Sequence, residues 1–242
     1  MPALLVRDVS KCYPVGAAGG ALRRLWPPGN GDHPREVWAL RQVSLEVEWG
    51  QVVGVVGPVA SGKSTLLRVA IGAVPPTSGD VWAEGRVCSV TAVEECLRLD
   101  RSGRDNVCLH GARLGLPRQR VAQRMDEVLA FAALQGLADA PVRCYSAGMR
   151  QRLAFAIVAH ADPQVLLADG LLERCDEATR RQGFRWLREF QAQGGAALLA
   201  FHDRAAAARV CDRIVYLEAG VVVREERITP LRAVGPAATV AS

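Results

Sequence analysis

Gly57-Pro58-Val59-Ala60-Ser61-Gly62-Lys63-Ser64 lies between an apolar run, QVVGVVG from Gln51 to Gly57, and a segment from Lys63 to Ala73 whose apolar residues recur at helical spacing. The eight residues satisfy G-x-x-x-x-G-K-[ST] in the strand–loop–helix context that gives this pattern its meaning. Glycines let the backbone curl so that successive N–H groups and the helix N-terminus face an anion. Lys63 supplies a compact charge that reaches β- and γ-phosphates where a forked guanidinium does not fit. The Ser64 hydroxyl suits Mg²⁺. Of the 30 basic residues, 28 are arginine, and Lys11 and Lys63 are the two lysines, so a lysine retained here points to work that arginine cannot do.

Outward from this loop, Leu4 to Val9 and Val37 to Val47 read as strands, joined by a long Gly/Pro-rich connection over residues 15–34. Within it, Ala21 to Trp26 reads as a short surface helix, with an amphipathic turn against lipid or a partner as the alternative, and no role is assigned to it. After the Pro75-Pro76-Thr77-Ser78-Gly79-Asp80 break, Val81 to Val90 returns to strand character. From about Gly103 to Ala140 the pattern is helical, with Val121, Met125, Val128, Leu129 and Ala132 three and four residues apart. The last third alternates: helix Met149–Ala161, strand Val165–Asp169, helix Glu177–Gln193, strand Ala197–Phe201, then a short Ala-rich helix and a loose tail over residues 230–242. Such alternation predicts an α/β fold with a mostly parallel sheet covered on both faces.

With 242 residues, 50% hydrophobic and 23% charged, the chain has the apolar content for one substantial core and is expected to be a single domain over residues 1–242, with a helical part over about 96–160. Net charge is +5 and the basic residues are scattered, which does not argue for nucleic acid. The seven cysteines (Cys12, Cys88, Cys96, Cys108, Cys144, Cys175, Cys211) form no C-x-x-C pair and are read as buried free thiols. No signal pattern opens the chain and no apolar stretch reaches the roughly 18 residues of a spanning helix, so a cytoplasmic location is expected and any membrane role needs a partner.

Three further segments narrow the field. Cys144-Tyr145-Ser146-Ala147-Gly148-Met149-Arg150 precedes a helix, the strand VLLAD ends in Asp169, and Phe201-His202-Asp203 follows another strand. In that order they resemble the signature loop, Walker B strand and switch histidine of ABC-type ATPases. Nearly the whole chain is similar to the polysaccharide-export branch of that family, whose members export O-antigen, capsule or teichoic acid: "SKCYP", "VWALRQVSLEV", "PPTSGDV", "GRDNVCLHGARLGL", "PVRCYSAGMRQRLAFA" and "CDRIVYLEAG" carry the likeness.

The resemblance implies a P-loop NTPase core of ABC type, with an antiparallel β part near the N-terminus and a helical insertion. It implies ATP and Mg²⁺ as ligands, held by Gly57, Ser61, Gly62, Lys63, Ser64 and Thr65, with Ser64 and Asp169 on the metal and His202 and Asp169 serving hydrolysis. Tyr13 would stack on adenine, or is a plain strand-end aromatic. Ser146 and Gly148 would meet the γ-phosphate of a nucleotide held by the opposite subunit of a homodimer or heterodimer. The pair would act on membrane-spanning permease subunits that carry the glycan, at the cytoplasmic face of the inner membrane. An ABC-type ATPase acting on nucleic acid is disfavoured, since there is neither a long heptad insertion nor a basic cluster.

Four departures from the family pattern matter. Gly170 follows Asp169 where a glutamate normally polarises the attacking water, so hydrolysis is expected to be weak and a Gly170→Glu change to raise it. Ala92 stands where Gln or Glu normally links Mg²⁺ to the insertion; Glu94 or Glu95 substitutes, or both are solvated surface acids. Val59 and Ala60 replace Asn-Gly and add bulk beside the phosphates. Cys175 replaces a glycine before Asp176. Glu173 and Asp176 are the downstream acids able to replace the missing base if they reach the water. Gly170 also motivates an alternative from a different class: a catalytically silent ATP-binding module, regulatory or scaffolding, paired with a competent ATPase.

Overall fold

The computed structural model describes residues 1–15, 35–171, 173 and 175–228. The expected surface helix at Ala21–Trp26 and the tail from Pro230 fall outside the described residues. Strand β1 (Leu4–Val15) pairs antiparallel with β2 (Arg35–Val47) on one side and β4 (Ser78–Ala83) on the other, forming a three-stranded sheet. The second sheet has six strands in the order β5-β6-β7-β3-β8-β9, where β3 is Val52–Val56, β5 Val87–Ser89, β6 Val165–Asp169, β7 Ala196–Phe201, β8 Arg213–Glu218 and β9 Val221–Arg227. All its pairings are parallel except the β8–β9 hairpin.

The period of two along the central strands sorts their side chains between two cores. Val52 and Val56 of β3, Leu166 and Ala168 of β6, and Ala197, Leu199 and Phe201 of β7 join the core that includes the helical region. Val53, Val55, Val165, Leu167, Leu198 and Ala200 point to the other, beneath helix α1 (Lys63–Ala70) and the antiparallel sheet. Every residue of β3 and β7 is buried, as an inner parallel strand covered on both faces requires. Each Val or Leu so buried stabilises the fold by about 1.5–3 kcal/mol.

The insertion consists of α3 (Gly103–Arg113), α4 (Arg118–Gln123) and α5 (Met125–Phe131), followed by α6 (Ala147–Ala159). An aromatic ladder ties it to helix α7 (Glu177–Ala192): Phe131 of α5 lies 5.5 Å from Phe155 of α6, which meets Trp186 of α7 edge-on at 5.2 Å. Such pairs add about 0.5–1.5 kcal/mol each beyond burial.

Three expectations need correction. Val81–Val90 is not one strand. Gly85, at φ +79°, turns the chain from β4 into β5 in the other sheet, and Ser89 then caps helix α2 (Val90–Glu95) by accepting the Ala92 N–H at 3.2 Å. The β-branched residues Val90, Thr91 and Val93 disguise that helix. The last third does not end on the short Ala-rich helix but continues into the β8–β9 hairpin, whose outer strand β9 is an exposed, charged edge without inward alternation, the usual defence of a sheet edge. Of the seven cysteines, all free, Cys88, Cys175 and Cys211 are buried but Cys96, Cys108 and Cys144 are exposed.

Candidate functional site

The parallel strands β3, β6 and β7 end level with one another, Val56 paired with Phe201 and Asp169 with Ala200. Beyond their carboxyl ends, where open α/β sheets hold their ligands, lies a cleft of about 850 Å³. Ser61, Gly62, Lys63, Ser64, Thr65, Asp169, His202 and Tyr13 all line it, so the structure assembles from three strand ends and β1 what the sequence had scattered.

The loop after β3 is shaped by what surrounds it. A Cβ on Gly57 would sit 2.0 Å from the Leu217 carbonyl oxygen, and one on Gly62, at φ +106°, 2.4 Å from that of Ala39. Neither position admits a side chain. Helix α1 begins with no side-chain cap and no acidic residue in its first turn, leaving its N-terminal N–H groups and their partial positive charge for an anion. Lys63, only 5% exposed, donates from Nζ to the carbonyls of Gly57 at 2.7 Å and Pro58 at 2.8 Å, folding back over the loop's mouth. Buried Ser61 Oγ has no hydrogen-bond partner among the described residues.

Across the cleft, Asp169 accepts a short hydrogen bond from the Ser64 hydroxyl, and the Asp169 N–H donates to Thr91 Oγ1 at 2.9 Å. A hydroxyl and a carboxylate brought together beside an anion cradle are the hard oxygen donors that suit Mg²⁺. With the unpartnered Ser61 hydroxyl, this donor set fits a magnesium-bound nucleotide.

The remaining departures resolve as follows. Val59 is 85% exposed, so it does not press on the loop; the cost falls on Ala60, held at φ +63°, where a residue with a Cβ loses about 1–2 kcal/mol. Ala92 lies in the first turn of α2, while Glu95 pairs with Arg68 at 2.7 Å and Glu94 lines the cleft. Cys175 is buried with Sγ 3.8 Å from the Gly148 carbonyl oxygen, and burial raises its thiol above the ordinary range. Burial likewise lifts the Cys88 thiol to about 11. Asp176 caps α7, accepting the Thr179 N–H at 2.8 Å, with Arg152 at 3.2 Å.

Comparison with known proteins now adds to the geometry. A family model described as ABC transporter matches residues 40–172, more than half of the chain. The chain belongs to the ABC transporter family. Among its relatives, the O-antigen export system ATP-binding protein RfbB of Myxococcus xanthus is 35% identical over 232 residues, covering 93% of this chain and 53% of that protein. The ABC transporter protein AbcA of Aeromonas salmonicida is 34% identical over 223 residues, 92% of this chain and 72% of that one. The teichoic acids export ATP-binding protein TagH of Lactococcus lactis is 33% identical over 204 residues, 83% and 44%. The chain thus spans about half the length of the first and third. A dimeric bacterial ABC transporter cassette superposes with a TM-score of 0.78 at 24% identity, over 93% of this chain and 98% of that one, which shows the fold.

Of the segment Cys144–Arg150, Arg150 lines the cleft. Ser146 is exposed and caps α6, accepting the Met149 N–H at 3.1 Å, while its own N–H meets the Met149 thioether at 3.4 Å. Methionine here completes a reciprocal capping box that glutamine or glutamate more often closes. Ser146 and Gly148 do not line the cleft that holds Lys63. Three cleft residues escaped the sequence reading as ligand contacts: Thr91, hidden in an unrecognised helix; Trp38, paired with Cys12 one step from Tyr13 on the β1–β2 ladder; and Gln151, whose Nε2 donates to the Gly170 carbonyl at 2.9 Å.

Proposed function

We propose that this chain is the ATP-binding subunit of a polysaccharide exporter, binding and hydrolysing Mg·ATP as one of a pair of cassettes seated on membrane-spanning permeases at the cytoplasmic face. The observation that carries the reading is the meeting of Lys63, Ser64, Asp169 and His202 at the carboxyl ends of one sheet. The relatives named for O-antigen and teichoic acid export favour a glycan as cargo. Among the described residues no helix is long and apolar enough to cross a membrane, in keeping with a division of labour in which the permease carries the cargo.

In this mechanism the loop N–H groups, the first turn of α1 and Lys63 hold the β- and γ-phosphates, Lys63 exchanging the Gly57 and Pro58 carbonyls for phosphate oxygens. Ser64 and Asp169 would hold Mg²⁺, which would supply positive charge against the phosphates. Tyr13, in the cleft wall, offers a face to adenine. Ser146 and Gly148, exposed to half-buried at the start of α6, would close over the nucleotide of the partner cassette. The single domain spans both sheets with a helical part over about 96–160, and the ladder from Phe131 through Phe155 to Trp186 would carry closure to the permease.

The test is equilibrium binding of Mg·ATP to the parent and to Lys63→Ala. Loss of two charge-assisted bonds of at least about 1.5 kcal/mol each predicts a Kd at least ~100-fold higher. Equal affinities would refute the reading.

A further inference from the structure

Gly170 removes the carboxylate that the family resemblance places directly after Asp169, yet the space such a side chain would enter is not empty. A Cβ built on Gly170 meets Glu173: its three nearest heavy atoms are Glu173 Oε2 at 3.0 Å, Cδ at 3.3 Å and Cγ at 3.8 Å. The same Oε2 lies 3.8 Å from His202 Nε2, and Glu173 lines the cleft with Lys63, Ser64 and Asp169. The turn that brings it there is tied down. Its N–H donates to the Gly170 carbonyl at 3.2 Å, the Gly170 N–H donates to the Ala200 carbonyl at 3.1 Å, and Leu171 and Cys175 on either side are buried. Gly170 at φ +60° adopts the left-handed conformation that lets the chain double back so soon after β6. Glu94 also lines the cleft, but from helix α2; Glu95 is engaged by Arg68 and Asp176 by the α7 cap and Arg152.

Resting on the nucleotide reading above, we infer that Glu173 is the catalytic carboxylate of this cassette, reaching from three residues downstream the spot that a glutamate at position 170 would fill. A water between Glu173 and the γ-phosphorus gives its proton to the Glu173 carboxylate as its oxygen bonds to phosphorus. The bond from the γ-phosphorus to the bridging oxygen breaks, and its electron pair leaves with ADP. Orthophosphate departs and the proton passes from Glu173 to solvent. His202, with Nε2 3.8 Å from Glu173 Oε2, would orient the γ-phosphate and the water.

The experiment compares the full-length chain with Glu173→Gln for Mg·ATP affinity, hydrolysis, and lifetime of the ATP-bound self-associated form by size-exclusion chromatography. Expected are an affinity within about twofold of the parent, a hydrolysis rate ~10²–10⁴-fold lower, and an ATP-bound dimer that persists where the parent's decays. A Glu173→Gln chain that hydrolyses at the parental rate overturns the assignment. So does a parent that binds Mg·ATP but turns it over no faster than the variant. A parent that fails to bind Mg·ATP sinks the nucleotide reading, and this assignment with it.

Discussion

On one wall of the cleft, after β3 and at the start of α1, Gly62, Lys63 and Ser64 keep the phosphate-loop pattern, with Val59 and Ala60 departing only at its variable positions; on the other, after β6, Gly170 stands where the family resemblance places a glutamate. The difference follows from what each wall must supply. Phosphate is gripped by backbone N–H groups, and that backbone is confined by the Leu217 and Ala39 carbonyls to positions where a Cβ would collide. No other residue can take over that shape. A base for water, in contrast, needs only a carboxylate oxygen within reach, and Glu173 brings one to where a side chain on Gly170 would begin. A side-chain function can migrate along the chain, whereas a backbone function cannot.

Substitutions on the two walls sharpen this contrast. On the hydrolytic wall, Gly170→Glu forces a Cβ to within 3.0 Å of Glu173 Oε2 and places a non-glycine residue at φ +60°, a strain of about 1–2 kcal/mol. Turnover is expected to fall roughly tenfold, with Mg·ATP affinity little changed, because the entering side chain displaces the carboxylate already there. This reverses the gain expected from the sequence, and a steady-state ATPase assay decides it: a rise above the parent would show that position 170 is where the base belongs. On the binding wall, Ala60→Gly relieves a left-handed alanine at φ +63°. The relief of about 1–2 kcal/mol is partly offset by the flexibility glycine adds to the unfolded chain, about 0.5–1 kcal/mol. The net gain is about 0–1.5 kcal/mol, at about 2–4 °C in Tm for each kcal/mol, read by thermal unfolding; a loss of stability would break the account of the loop.

Much of this was legible in the sequence where local pattern and tertiary role coincide. Strand Val165–Asp169 has the bounds expected of it, since an apolar run ending in aspartate has one reading in a parallel sheet. The loop from Gly57 to Ser64 lies between β3 and α1, as its spacing and its apolar flanks lead one to expect. Legibility failed where tertiary contacts override local preference. Val90–Glu95 is helical despite its β-branched residues, because Ser89 caps it and Val90 and Val93 are buried beneath it. The role open to Glu173 was named among the downstream acids, but only the left-handed turn at Gly170 brings the carboxylate back beside β6. The conformation of Ala60 likewise depends on φ, which composition does not encode.

The claim beneath all of this is that Lys63 leaves two backbone carbonyls for a nucleotide's terminal phosphates. A crystal structure of the full chain with Mg²⁺ and a non-hydrolysable ATP analogue tests it directly. The account predicts Lys63 Nζ withdrawn from the Gly57 and Pro58 oxygens it now meets at 2.7 and 2.8 Å and bonded to the β- and γ-phosphates, with the Glu173 carboxylate facing the γ-phosphorus. An analogue bound elsewhere, with Lys63 still folded onto its own loop, would contradict it.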